Sequence, residues 1–215
     1  YAQGAGNGPC FAALADGRGD DRYRANGHWP DVYGDSGPDS YHGASQGYCT
    51  GYRDGELLPG GFATLVDLDG KDEYDSGNFS QGGAYFYGFG LMYDGGGDDV
   101  NHGYRYSQGF GVHQAVGMRW DAGGNDVYVT KCAANCGSAW DEGVGFLVDD
   151  AGDDQYDVGG LALGGAAQTA IAVLLDGGGN DRYGGGGGND SQGGSGGGEY
   201  HEKEGVPQSF GVLID

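Results

Sequence analysis

An acidic turn recurs along the chain at a nearly constant spacing, and this repeat restricts the possible folds more than any other feature. Six complete copies begin with Asp, carry Gly three positions later and carry a second Asp five positions later. The last five copies begin at 67, 94, 121, 149 and 176, so the steps are 27, 27, 28 and 27 residues. A constant period of this length predicts one structural unit per repeat, stacked on its neighbours. The complete copies span 16–23, 67–74, 94–101, 121–128, 149–156 and 176–183, and Asp215 begins a seventh.

Apolar residues alternate ahead of each turn. Positions five, three and one before the first Asp are apolar in most copies, as in Phe89, Leu91 and Tyr93 before Asp94. Only Gly or Ala occurs four positions before it. An alternation with a period of two predicts a strand that ends at the Asp turn. We expect these apolar columns, and the Tyr seven positions after the Asp in five of the six copies, to stack inside the fold.

Composition favours an all-β fold over a helical one. The chain of 215 residues contains 52 Gly, and its 32 acidic residues divide into 26 Asp and 6 Glu. Asp and Gly favour turns, whereas Glu is the better helix former. We therefore predict one domain over 1–215, a β-solenoid (parallel β-helix) of about seven coils of ~27 residues. A Gly-rich sandwich or a propeller is the alternative. The recurrent Gln-Gly pairs that begin at Gln46, Gln81 and Gln108 predict an amide ladder along the axis.

Stacking would align the acids of the turns in two columns. Two unit charges about 5 Å apart repel by roughly 3 kcal/mol at an effective dielectric constant of 20, so the columns need compensation. Two hypotheses stay open: the carboxylates accept hydrogen bonds from turn N–H groups, or they bind cations, for which oxygen ligands on flexible loops favour Ca²⁺. The first column is Asp16, Asp67, Asp94, Asp121, Asp149 and Asp176, and the second is Asp21, Asp72, Asp99, Asp126, Asp154 and Asp181.

The turn over 176–183, with the sequence DGGGNDRY, resembles the glycine-rich nonapeptide of repeats-in-toxin proteins. In that family the turn carbonyls and the Asp hold Ca²⁺ between coils, so the resemblance implies that Asp181 and its equivalents in the second column are ligands. The copy over 67–72 also resembles a D-x-D-G-x-D calcium loop, which adds Asp69. The resemblance covers only the turns, because nonapeptides of that family run back to back and here one occurs per 27 residues. The 27-residue unit itself is similar to tandem repeats of secreted bacterial proteins.

The charge balance limits the partners. A net charge of −22 argues against nucleic acid and against anionic membranes, which attract basic patches. The longest weakly polar stretch, 161–175, is too short to span a bilayer. Four cysteines without CxxC spacing, together with few Lys, predict an extracellular protein with up to two disulfides. The candidate pairs are Cys10 with Cys49 and Cys132 with Cys136.

Three insertions interrupt the repeat, near 24–40, 52–60 and 194–207. Loops on one face of a solenoid often carry binding sites. Trp29 and Tyr33 lie beside carboxylates in the first insertion, a combination that suits carbohydrate. The alternative is that the insertions cap a coil or pack on a neighbouring molecule.

The even spread of acids favours a structural or adhesive function over catalysis, because an enzyme concentrates its carboxylates in one cleft. We therefore expect a Ca²⁺-stabilised surface or fibre module without enzymatic activity. A β-helical protein that binds or degrades polysaccharide is the alternative. The chain begins and ends inside a repeat unit, so we also expect self-association or further coils of the same chain.

Overall fold

The computed structural model describes residues 2–25, 41–53, 58–185, 191–196 and 209–215. Most of the first and third insertions, including Trp29 and Tyr33, and residues 54–57 of the second lie outside these ranges, so the carbohydrate hypothesis stays a prediction. The described ranges contain strands and no helix, and therefore no helix that is long and apolar enough to cross a membrane. The strands are β1 Gly6–Asn7, β2 Phe11–Ala15, β3 Arg22–Ala25, β4 Cys49–Thr50, β5 Phe62–Val66, β6 Glu73–Ser76, β7 Ala84–Tyr85, β8 Phe89–Asp94, β9 Val100–His102, β10 Gly111–Val112, β11 Val116–Asp121, β12 Val127–Val129, β13 Ala139–Trp140, β14 Val144–Asp149, β15 Gln155–Val158, β16 Ala166–Ala167, β17 Ile171–Asp176, β18 Arg182–Gly185, β19 Ser195–Gly196 and β20 Phe210–Ile214.

Each coil contributes one strand to each of three parallel sheets, which confirms the predicted all-β parallel solenoid. The first sheet has the order β1-β4-β7-β10-β13-β16-β19, and the second has the order β2-β5-β8-β11-β14-β17-β20. The third sheet has six strands in the order β18-β15-β12-β9-β6-β3. The last turn of the described chain is therefore incomplete, and the predicted count of about seven coils is slightly too high.

The strand before each Asp turn faces the opposite way from our prediction. In β11 the buried side chains are Gly117, Arg119 and Asp121, whereas Trp120 is exposed and its outward neighbours are half-buried. The columns that we expected inside therefore lie on the outer surface. The reason is the narrow interior: a Cβ at Gly117 would lie 1.8 Å from the carbonyl oxygen of Phe110. Only the column two positions before the Asp, mostly Leu, has room for a large inward side chain.

The tyrosine column is buried as predicted. Tyr74, Tyr128 and Tyr156 are fully buried. The rings of Tyr128 and Tyr156 stack with centroids 4.8 Å apart, and Tyr183 continues the stack 5.1 Å from Tyr156. The spacing matches the distance of about 4.8 Å between neighbouring strands. The ring stack therefore follows directly from one repeat per coil.

The glutamines do not form the predicted amide ladder among the described residues. The side-chain amide of Gln46 donates to the carbonyl oxygen of Tyr23, and that of Gln108 donates to the carbonyl oxygen of Asn101, both at 2.9 Å. Gln81 bonds the carbonyl oxygen of His102 in the same way. Each of these amide nitrogens donates to a backbone carbonyl oxygen of the third sheet. The glutamine column therefore connects that sheet to turns that precede strands of the first sheet.

The structure contains no disulfide, since all four cysteines are free thiols, although the predicted partners Cys10 and Cys49 lie close enough for their side chains to interact. Cys136 occupies the position that Gln holds in other coils, and its Sγ donates to Oε1 of Gln108 at 2.9 Å. This places its sulfur in the polar interior column, in contact with Gln108 rather than bonded to Cys132. Burial, the largest influence, raises the pKa of the Cys49 thiol to about 11. The Cys49 thiol is therefore a poor nucleophile at neutral pH.

Glycine at the fourth residue of each turn lets neighbouring coils approach. A Cβ at Gly124 would lie 1.4 Å from the carbonyl oxygen of Gly97, and a Cβ at Gly97 would lie 1.5 Å from that of Gly70. A side chain at these positions would therefore push two coils apart. Gly178, at the third residue of its turn, has a similar positive φ of 135° but nothing within 4 Å of the corresponding Cβ.

We therefore predict that Gly124→Ala destabilises the solenoid much more than Gly178→Ala. Both variants carry the backbone strain of a positive φ, about 1 kcal/mol, but only the first also forces a carbonyl oxygen away. Chemical unfolding followed by circular dichroism measures both changes. Equal losses of stability in the two variants would contradict the close contact between turns.

Candidate metal centre

Five clusters of aspartates lie between consecutive coils. Each joins one Asp of the first column to two of the second, with one oxygen from each Asp within 4.8 Å of the others. The structure thus brings together all the candidate ligands except Asp16 and Asp69. Asp16 instead accepts a 2.6 Å hydrogen bond from the backbone N–H of Gly17. The clusters are Asp21/Asp67/Asp72, Asp72/Asp94/Asp99, Asp99/Asp121/Asp126, Asp126/Asp149/Asp154 and Asp154/Asp176/Asp181.

In four acids of the second column, Asp99, Asp126, Asp154 and Asp181, only one oxygen of the carboxylate is engaged. Oδ1 of Asp126 accepts the backbone N–H of Asp99 at 2.6 Å, and Oδ1 of Asp154 accepts that of Asp126 at 2.7 Å. The same bond recurs between neighbouring coils along the stack. Oδ2 is buried without a hydrogen-bond partner in Asp99, Asp126, Asp154 and Asp181. Hydrogen bonding by turn N–H groups therefore satisfies only half of each of these four carboxylates.

The first column receives hydrogen bonds from the tyrosine stack. The hydroxyl of Tyr128 donates to Oδ2 of Asp149 at 2.8 Å, and the hydroxyl of Tyr156 donates to Oδ2 of Asp176 at 3.0 Å. Tyr183 also donates to this oxygen of Asp176, at 2.7 Å. Oδ1 of both Asp149 and Asp176 is buried without a partner. The tyrosines thus orient the acids and leave one oxygen of each facing its cluster.

The two clusters nearest the C-terminus consequently hold three unpartnered oxygens each. They are Oδ2 of Asp126, Oδ1 of Asp149 and Oδ2 of Asp154 in one, and Oδ2 of Asp154, Oδ1 of Asp176 and Oδ2 of Asp181 in the other. Buried charge without a partner is costly, and a hard cation removes that cost. Carboxylate oxygens from three Asp within 4.8 Å of one another are a donor set that fits a divalent metal ion.

Burial disfavours the charged form of these acids. It is the largest influence on each of them and raises the pKa of Asp126 to about 9 and the pKa values of Asp99 and Asp149 to about 8. It raises the pKa values of Asp72 and Asp154 to about 6. Protons and a bound cation therefore compete for the same oxygens near neutral pH.

The centre of the stack contains a feature that sequence analysis missed. Arg119 is fully buried and donates from Nη2 to Oδ2 of Asp121 at 2.9 Å. It occupies the inward column that holds Leu or Met in the other coils, beside the coil in which Asn101 replaces Tyr. Arg in place of Leu or Met, and Asn in place of Tyr, were the two sequence signals that could have revealed this feature. We expected the residue two positions before each Asp to face outward, and this expectation hid the connection between Arg119 and Asn101.

A second polar group lies at the first sheet. The ring of His113 contacts the carboxylate of Asp141 through Nδ1, and its Nε2 lies 2.9 Å from the hydroxyl of Tyr85. His113 and Asp141 line a small surface cavity together with Arg53 and Phe86. In this arrangement the imidazole of His113 can share a proton with Asp141 on one side and with Tyr85 on the other.

Comparison of the chain with protein-family models, curated proteins and solved structures found no match. The resemblance of the turns to repeats-in-toxin proteins therefore rests on the turn residues and on the Asp clusters alone.

We predict that the metal-free protein loses stability as the pH rises from about 4 to about 9. The folded-state pKa values of Asp99, Asp126 and Asp149 lie above the value of about 3.9 for an unfolded Asp. The folded state therefore binds more protons in this interval, and its advantage is complete below the unfolded value and lost through the folded values.

Thermal unfolding of chelator-treated protein at several pH values measures this slope. Saturating Ca²⁺ should flatten it, because the cation replaces the protons. A melting temperature that rises with pH in the metal-free protein would contradict the buried, unpaired state of these acids.

Proposed function

We propose that the protein is a Ca²⁺-stabilised structural and adhesive repeat module of the extracellular space. The observation that carries this proposal is the set of three buried, unpartnered carboxylate oxygens in each of the two clusters nearest the C-terminus. Without a cation these oxygens destabilise the stack, and with one they hold successive coils together. Metal binding would thereby be coupled directly to the stability of the solenoid.

Ca²⁺ suits the clusters better than other common metal ions. Each cluster consists of Asp alone, without the His or Cys ligands that favour Zn²⁺. Mg²⁺ requires near-ideal octahedral geometry at short distances, whereas Ca²⁺ accepts six to eight oxygens in flexible arrangements. Carboxylates, turn carbonyls and water can together supply that number. This binding mode is the one that the resemblance to repeats-in-toxin turns implies.

The same chemistry supports the proposed extracellular location. Extracellular calcium modules function with dissociation constants of about 10⁻⁴–10⁻³ M, far weaker than cytosolic calcium buffers. Clusters in which protons compete with the metal at neutral pH suit such weak binding. The free thiols give this location no additional support.

The outer face of the second sheet supports an adhesive function. Its outward positions on seven strands carry no charged side chain, although the net charge of the chain is −22. Phe11, Phe62 and Phe89 form a surface stack with centroids 5.6 and 5.1 Å apart. Trp120 and Ile171 are exposed on the same face. A flat apolar surface of this extent is typical of an interaction site, and we assign it to contact with a second copy of the chain.

We propose no enzymatic activity. The buried acids repeat the same contacts from coil to coil, as a structural function requires, and they are not concentrated in a cleft. Among the described residues, the cavity beside His113 is lined by a single carboxylate, that of Asp141, and so lacks the pair of acids that a glycosidase needs.

The calcium proposal predicts that Asp154→Asn loses two binding sites, because Asp154 belongs to two clusters. The amide can still accept the N–H of Asp126 but removes one negative charge from each cluster. Isothermal titration of chelator-treated protein with Ca²⁺ counts the sites, and thermal unfolding reports the loss of stabilisation.

Asp153→Asn is the matched control. Asp153 is exposed and accepts the backbone N–H of Asn180, and Asn already fills the equivalent position at Asn125 and Asn180. This variant should keep the wild-type number of sites. If the wild-type chain takes up no Ca²⁺ and keeps its melting temperature after chelation, the calcium proposal is wrong.

The adhesive proposal predicts that Met118→Lys abolishes self-association in the presence of Ca²⁺. Met118 lies at the middle of the apolar face in β11, where a buried charge would oppose contact. Val127→Lys is the control, since Val127 is similarly half-buried but faces outward from the third sheet. Sedimentation velocity compares both with the wild type. A wild type that sediments only as a 22.1 kDa monomer at every Ca²⁺ concentration would refute this assignment.

A further inference from the structure

Arg119 replaces a tyrosine ring in the interior stack. Its Cζ lies 5.3 Å from the ring centroid of Tyr74 and 5.4 Å from that of Tyr128. These two tyrosines are two coils apart, and the coil between them carries Asn101 at the tyrosine position. Neighbouring rings elsewhere in the stack are 4.8–5.1 Å apart. The guanidinium therefore fills the place that the smaller Asn leaves between two aromatic faces.

The same guanidinium lies between the acids of two clusters. Nη2 is 2.9 Å from Oδ2 of Asp121 and 4.0 Å from Oδ2 of Asp94, and both carboxylates are fully buried. Asp94 belongs to the cluster with Asp72 and Asp99, and Asp121 belongs to the next cluster along the stack. Arg119 thus supplies a permanent positive charge where the other coils supply only tyrosine hydroxyls.

The hydrogen bonds of the acids differ accordingly. Oδ1 of Asp94 accepts the N–H of Gly96 at 3.1 Å, and Oδ1 of Asp121 accepts that of Gly123 at 3.3 Å. Oδ1 of Asp149 has no partner, and Oδ1 of Asp176 has none by hydrogen-bond geometry, although the N–H of Gly178 lies near this carboxylate. The two clusters beside Arg119 therefore already have a cation and offer fewer unpartnered oxygens than the two clusters nearest the C-terminus.

We propose that Arg119 is a built-in cation that takes the place of metal in the two central clusters, so that Ca²⁺ binds only at the two clusters nearest the C-terminus. A divalent ion beside the guanidinium would meet a like charge in a buried site, where charge repulsion is strong. In the cluster nearest the N-terminus, both oxygens of Asp67 and of Asp72 already accept hydrogen bonds. This inference rests on the proposed calcium function. It predicts that the middle of the solenoid is held together independently of calcium, whereas the C-terminal coils depend on it.

The test is to restore the repeat with Asn101→Tyr and Arg119→Leu together. Tyr is present at this position in the neighbouring coils, and Leu147 and Leu174 occupy the inward column of the next two, so the double variant reproduces their packing. We expect equilibrium dialysis with Ca²⁺ alone to count two sites in the wild type and four in the double variant.

The reciprocal variant moves the arginine to the two clusters nearest the C-terminus. Tyr156→Asn with Leu174→Arg places the same pair beside Asp149 and Asp176, and the expected count falls from two to none. This variant keeps the test decisive if the first one does not fold.

The outcomes separate the two proposals. If the wild type binds four or more Ca²⁺, or if the restored repeat gains no site, the role of Arg119 is refuted while the calcium function stands. If neither the wild type nor the restored variant binds Ca²⁺, the calcium function itself is refuted.

Discussion

The structure depends on parallel in-register pairing, which places the same residue of every repeat above its counterpart in the next coil. Asp94, Asp121, Asp149 and Asp176 are paired directly along the second sheet. This register is favourable for rings and amides, which stack or bond along the axis, but it aligns like charges at the strand spacing of about 4.8 Å. Every polar feature of the interior responds to that conflict.

Several different groups reduce the repulsion. Backbone N–H groups bond one oxygen of five second-column acids, and tyrosine hydroxyls bond one oxygen of most first-column acids. Arg119 supplies a full positive charge at the centre. What remains is one unpartnered oxygen on half of the twelve acids, together with pKa values raised by burial to about 8 or 9 in the middle of the stack. Protons or metal ions are the species that can complete the compensation.

The narrow interior beside the second sheet also explains why the largest apolar side chains of its strands face outward. Glycine and alanine line the inner face of the strand before each turn because neighbouring backbone lies within contact distance, as at Gly117 and Gly145. This part of the interior is therefore filled by stacked tyrosines, acids and a single large column, mostly leucine, whereas a cluster that includes Phe79, Tyr106 and Phe110 fills the interior at the first sheet. The apolar surface on the second sheet is a consequence of the same constraint, because the bulky β-forming residues of its strands fit only on the outward face.

The sequence by itself determined the repeat, the strand before each Asp turn, the parallel solenoid and the two acid columns, because a constant period leaves few other ways to stack identical units. It also indicated which acids would meet. It did not determine which face of the strand points inward, since alternation is symmetrical between the two faces and only the close approach of the backbone breaks that symmetry. Nor did it determine the glutamine and cysteine contacts. The connection of Asn101 with Arg119 was likewise decided by the tertiary structure, because residues 18 positions apart become neighbours only when one coil is laid on the next.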